Sequence, residues 1–190
     1  RSPILWIIPL LSSLFALSTA GGIVYLLAKN NIIDVDGQSQ GILSVLVIGA
    51  ATDYALLLIA RYREELHFTD NRFVAMRAAY NGVWEPILAS GSTVAISLLV
   101  LLFSQLTNTA GLGPIGAIGI VCSMITILTL LPALLLIFGR WIFWPRVPKN
   151  DGDDHVMTGV WSKIANSIGR NPRKAWIITG VILLGFAGAS

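Results

Sequence analysis

The residue that stands apart chemically is Asp53, in the run Gly49-Ala50-Ala51-Thr52-Asp53-Tyr54-Ala55. It lies inside an apolar block from Gly41 to Ala60, twelve residues after Gly41 and eight before Arg61. In a helix rising 1.5 Å per residue, its carboxyl is roughly 18 Å and 12 Å from those two ends, near the middle of a bilayer. An aspartate at that depth costs about 2.5–3.5 kcal/mol to insert. A scaffold has no need of that cost, so a functional role is expected of Asp53. The plainer alternative is a structural hydrogen bond to a neighbouring helix. Tyr54 is able to give or accept a proton or hydrogen bond beside it, or simply to pack. Gly49, one turn before, and Ala60, two turns after, give that face small residues that allow another helix to come close. In the third apolar block Ser90, Thr93 and Ser97 fall at i, i+3 and i+7, a polar stripe that could face Asp53. The competing reading is that these hydroxyls bond carbonyls of their own helix.

Other chemistries find no footing. Cys122 is the one cysteine, inside the fourth apolar block, where a small buried residue is expected and no internal disulfide can form. His67 and His155 sit among charged residues without zinc-type spacing, so no metal site is expected. Gly111-Leu112-Gly113-Pro114-Ile115-Gly116 spells G-x-G-x-x-G, yet it follows no strand and opens a membrane helix. Close helix packing explains those glycines better than a dinucleotide does. With no Walker A run and no Ser/His/Asp or Cys/His set, neither an ATP-driven pump nor a hydrolase is visible, and neither enzyme activity nor a cofactor is expected.

These residues are carried on apolar blocks. Of 190 residues, 55% are hydrophobic and 12% charged, about half the charge of a soluble domain. The mean hydropathy is +0.75. The blocks are Ile4–Ala28, Gly41–Ala60, Pro86–Phe103, Gly113–Phe138 and Ala175–Ser190. A crossing takes about 20 mostly apolar residues, so an all-α polytopic membrane protein is expected. The last block, and an opening Arg1-Ser2-Pro3 without initiator Met, suggest an internal piece of a longer chain. With Arg1 inside and sides alternating, twelve of thirteen Lys and Arg fall inside and only Lys29 outside. That distribution explains the net charge of +3 by topology and anionic-lipid contact, and nucleic acid is not an expected partner. The connections 61–86 and 140–174 are then cytoplasmic, and Lys29–Gln40 and Gln105–Leu112 face outward. Thr69 or Asp70 is expected to cap a short cytoplasmic helix near 70–82 that Gly82 ends. Pro86 opens the third span with Glu85 at the interface, and Pro132 kinks the fourth. Within the linker at 145–174, Trp161, Ile164, Ala165 and Ile168 share one face of an amphipathic helix opposite Lys163 and Asn166.

The run G-A-A-T-D-Y-A-L-L-L-I-A-R-Y-R-E-E-L resembles the fourth transmembrane helix of the MMPL family of the RND transporter superfamily. I-L-A-S-G-S-T-V-A-I-S-L-L resembles its fifth helix, with Ser90 at a recurrent serine, and L-T-L-L-P-A-L-L the end of its sixth. R-S-P and R-N-P-R-K-A-W resemble the turns that lead into helices three and seven. The resemblance implies an RND or sterol-sensing-domain-like bundle. Residues 1–144 would be transmembrane helices 3–6 and 175–190 the start of helix 7. It further implies a proton-motive-force-driven transporter in a bacterial plasma (inner) membrane, exporting lipids or other hydrophobic molecules. Asp53, Tyr54 and Ser90 would form the relay, supported by Gly49, Thr93 and Ser97. A partner Asp-Tyr pair would lie in the remaining half of the protein. A lipid sensor of the sterol-sensing type and a SecD/SecF-type export helper are the rival readings.

The sidedness is testable by cysteine labelling in a Cys122→Ala background. An impermeant thiol reagent applied from outside should modify Ser39→Cys and spare Ser162→Cys; the reverse pattern overturns the topology.

Overall fold

In hydrocarbon every backbone N–H and C=O must be satisfied within the chain, which for single segments means helices. The computed structural model describes residues 6–33, 35–103, 107–139 and 168–188, and among them there are helices and no strands. The helices are α1 (Ile7–Lys29), α2 (Gly37–Glu65), α3 (Arg72–Leu99), α4 (Thr107–Phe138) and α5 (Pro172–Gly188). A 3₁₀ turn, Val100–Phe103, tightens the end of α3. Among the described residues four segments are long and apolar enough to cross a membrane: Ile7–Lys29, Gly37–Glu65, Arg72–Phe103 and Gly111–Phe138. The chain is an all-α polytopic membrane bundle.

Residues 1–151 and 152–190 form two units. In the first, α4 packs against each of α1, α2 and α3, and α2 also packs against α1 and α3. The core is continuous, from Ala16, Ala20 and Val24 of α1 through Leu43, Val47, Ala51 and Leu58 of α2 to Ile120, Ile127 and Leu131 of α4. α3 is the outlying helix. Only 17% of its most apolar window is buried, against 39% in the other three, and its inner strip is mostly small: Ala75, Ala79, Val83, Gly91 and Ala95. In the second unit, α5 starts with proline at its first position, where the missing N–H costs nothing. Its 17 residues reach about 26 Å, short of the roughly 30 Å hydrocarbon layer. The amphipathic segment expected around Trp161 and Lys163 lies outside the described residues.

Several boundaries differ from the sequence expectation. α3 runs unbroken through Gly82 and Pro86, so the short helix near 70–82 and the third span are one element. Its 28 residues reach about 42 Å, some 12 Å more than the hydrocarbon layer, so the first turns, with Arg72 and Arg77, project beyond it. Its cap is Asn71, whose side chain accepts from the N–H of Phe73 at 3.0 Å and of Val74 at 3.4 Å. Thr69 instead receives the N–H of Asn71 at 3.2 Å. α4 begins at Thr107, within the expected loop, and continues through Pro114 and Pro132. It stops where Gly139 takes a left-handed φ of 56°, with Arg72 packed so close that a Cβ there would stand 3.3 Å from Nη1.

Between α1 and α2 the turn is made by Asn31, with a φ of 56° that asparagine tolerates better than most residues. Asp36 then caps α2, accepting the Ser39 N–H at 2.6 Å. Hydrogen bonds from Ser39, its side chain first and its backbone second, hold the Asp36 carboxyl below the usual carboxylate range. Ser39 itself is buried, which moves the outer labelling position to the exposed neighbour Gln38.

The glycines of α4 do bring helices together. A Cβ at Gly119 would stand 2.7 Å from both Leu43 Cδ1 and Val47 Cγ2 of α2. At Gly116 it would meet Leu98 Cδ1 at 3.0 Å, and at Gly113 the Leu98 carbonyl oxygen at 2.6 Å. Backbone cannot swing aside as a side chain can. Gly113→Ala should therefore destabilise the protein by about 1–3 kcal/mol. Gly22→Ala, with nothing within 4 Å of its Cβ, should be neutral or stabilise by up to about 1 kcal/mol through helix propensity. Thermal unfolding in detergent reads both; equal midpoints for the two variants would refute the close approach.

Candidate functional site

Among the exposed positions of α2, Gln38, Ile42, Val45, Gly49, Asp53, Leu56, Ala60 and Arg63 form one stripe. The spacing of three and four residues keeps them on a single face of the helix. Asp53 sits mid-stripe, and no hydrogen bond or ion pair reaches its carboxylate among the described residues. α4 carries no charged residue, and within the apolar block from Gly41 to Ala60 of α2 Asp53 is the one charged residue. Asp53 is thus a carboxylate in the apolar middle of a span, facing out of the four-helix unit.

Tyr54 is displaced about 100° around the helix and points the other way. It is buried, 8% exposed, in the core formed with α1 and α4 residues. The Asp-Tyr pair therefore divides into an outward carboxyl and an inward ring. Gly49 also faces outward with nothing within 4 Å of a Cβ, so the close helix approach expected there is not made by α1, α3 or α4.

Ser90, Thr93 and Ser97 are all exposed on α3. No hydrogen bond joins any of them to Asp53 among the described residues. Thr93 Oγ1 donates to the Ala89 carbonyl at 2.8 Å and Ser97 Oγ to the Thr93 carbonyl at 2.7 Å. The same habit holds for Thr19, Ser44, Thr52 and Thr129, so in Thr93 and Ser97 it marks membrane-helix chemistry in general. Ser90 differs, because its hydroxyl has no partner on its own helix among the described residues.

Two polar features escaped the sequence reading. Ser123 is fully buried and donates to Gly119 O at 2.8 Å, with Val47 O of α2 at 3.4 Å, a polar tie between helices. Ser12 of α1 is also buried, and its Oγ has no hydrogen-bond partner among the described residues. Neither has a local signature, since an isolated serine in an apolar run reads as any small residue. Among the described residues no group of three His, Cys, Asp or Glu is placed to hold a metal ion. Cys122 is buried, as its position in the fourth block indicated.

Residues 1–175 match the family described as the MMPL family. The chain belongs to the MMPL family. It is 50% identical over 183 residues, 96% of its length, to ActII-3, named a membrane protein, of Streptomyces coelicolor. It is 38% identical over 149 residues, 78% of the chain, to the apo-petrobactin exporter of Bacillus anthracis. It is 33% identical over 156 residues, 82% of the chain, to MmpL9, named a transport protein, of Mycobacterium tuberculosis. It spans 26%, 20% and 16% of those relatives, about a quarter or less of each.

The division of Asp53 and Tyr54 has a measurable outcome. Tyr54→Ala should destabilise by about 3–5 kcal/mol, the usual cost of emptying a buried aromatic site, while Tyr54→Phe should keep the fold within about 1 kcal/mol. Thermal unfolding in detergent, with binding of a conformation-sensitive probe, distinguishes them. Equal stability of Tyr54→Ala and wild type would show that the ring is not part of the core.

Proposed function

We propose that this chain is part of a proton-driven membrane transporter that exports lipids or other hydrophobic molecules, with Asp53 as the coupling carboxyl. One observation carries the reading: an unpartnered carboxylate on the outward stripe of α2, in the middle of an apolar span. Left in lipid, it would cost about 2.5–3.5 kcal/mol with no return. Its counterpart is taken to be the remaining half of the same protein, which the length of the relatives leaves room for. A carboxylic acid holds a proton as a neutral group and releases it as an anion, which is what stepwise movement of a proton through a membrane needs. Each proton carried inward yields about 2.3 kcal/mol per 100 mV before any pH gradient is counted.

The other site residues take graded parts in this proposal. Ser90, whose hydroxyl is not spent on its own helix, is the hydroxyl suited to serve the carboxyl. Thr93 and Ser97 give the polar lining, Gly49 admits a close neighbour, and Tyr54 fixes the α2 backbone beside Asp53 from the core side. The membrane is taken to be the bacterial plasma membrane, with 61–86 and 140–174 on the cytoplasmic side. The names of the relatives, an exporter and a transport protein, support transport as the class. The lipid-sensor reading draws on a cleft of about 140 Å³ lined by Gly21, Val24, Tyr25, Ala28, Leu43 and Ile115, among others. That is below the roughly 300 Å³ of an ordinary small-molecule site, and transport is the better-supported reading.

In the full-length protein, Asp53→Asn should abolish export and proton uptake while insertion and folding persist, because asparagine keeps the shape and cannot titrate. Ser90→Ala should lower export a few-fold at most. Proteoliposomes with an imposed pH gradient provide the measurement; export by Asp53→Asn at the wild-type rate would make Asp53 structural.

A further inference from the structure

Arg61, in the R-Y-R-E-E run at the end of α2, is a residue that proton coupling leaves without a task. Its terminal nitrogens are held by its own helix: Nη1 donates to Glu64 Oε2 at 2.8 Å, and Nη2 lies 2.8 Å from Glu65 Oε1. That fork fixes the plane of the guanidinium. Nε is buried and has no hydrogen-bond partner among the described residues. The stem of the side chain meanwhile crosses to α3, where a Cβ at Gly82 would stand 3.3 Å from Nε, 3.8 Å from Cγ and 3.9 Å from Cδ. Glycine alone leaves the arginine room to lie there without displacement.

Gly82 is four residues before Pro86, which has no N–H to donate, so the Gly82 carbonyl loses its bond in the α-helical ladder. Prolines inside helices are where bending concentrates, and in membranes neighbouring groups steady the opened ladder. Arg61 is such a neighbour, resting on α3 at the residue whose carbonyl is freed. Ser90 follows Pro86 by one turn, and Asp53 precedes Arg61 by about two. A bend at Gly82–Pro86 thus moves the hydroxyl of one helix relative to the carboxyl of the other.

We propose that Arg61 is a positioning residue that latches a hinge in α3 at Gly82–Pro86 and so sets the placement of Ser90 relative to Asp53. The link to Asp53 rests on the proton-coupling reading, whereas the latch stands on the packing alone. The test uses the full-length protein in lipid nanodiscs, with backbone hydrogen exchange followed by mass spectrometry. Arg61→Gln should speed exchange in Ile87–Gly91 about tenfold, as a local opening does, with the α4 amides at the wild-type rate. Arg61→Lys, which keeps the charge and loses the planar fork, should behave the same way. Adding Pro86→Ala to Arg61→Gln closes the ladder and should return exchange to the wild-type rate. Unchanged exchange in Arg61→Gln, a rise of equal size throughout α4, or no rescue by Pro86→Ala would each overturn the latch. The coupling link is read separately, as a shift of about half a pH unit or more in the midpoint of export by Arg61→Gln; an unshifted midpoint overturns the positioning role. Should Asp53→Asn export normally, proton coupling fails while the exchange pattern still decides the latch.

Discussion

The bundle depends on how near α4 can come to its neighbours. Lipid tails are as apolar as leucine, so burying apolar surface does little to hold membrane helices together, and close van der Waals contact does most of it. Gly113, Gly116 and Gly119 provide that contact on α4, and Gly91 provides it on α3, where a Cβ would run into the Met124 side chain. These positions place α2 and α3 about one shared partner, and every later feature of the site inherits that geometry. The buried Ser123 adds a polar tie at the α2–α4 contact.

This arrangement sorts the polar groups. Hydroxyls on the spans are mostly satisfied by carbonyls of their own helix, and the charged residues gather where the apolar stretches end. Asp53 alone among the carboxylates departs from the pattern. Packing on α1, α3 and α4 uses the Ala51, Tyr54, Ala55 and Leu58 side of α2 and leaves the Gly49, Asp53 and Ala60 side open. The unit is thereby finished on one side of α2 and chemically unfinished on the other.

Much of this could be read directly from residues. An aspartate twelve positions into an apolar block is conspicuous because of its insertion cost, and glycines at the start of α4 pointed to close packing. Helix boundaries were harder, since glycine and proline end helices in water. A break at Gly82–Pro86 would leave several backbone groups of α3 unpaired, whereas continuing through it forfeits a single bond. The facing of Asp53 and Tyr54 was also hidden. Adjacent residues always diverge by about 100°, but the sequence does not say which of them faces the neighbouring helices. The Arg61–Gly82 contact joins residues on different helices and has no local signature at all.

The abrupt passage from α3 to α4 has a consequence for how the protein is made. α3 tightens into a 3₁₀ turn ending at Phe103 and α4 begins at Thr107, so in sequence only Ser104, Gln105 and Leu106 separate them. That tripeptide carries no charge, so moving it across a bilayer meets little of the barrier that holds lysine- and arginine-rich segments back. Gly113 against the Leu98 backbone lets the two helices touch as soon as both have emerged. α3 and α4 are thus a hairpin suited to enter the lipid as one piece.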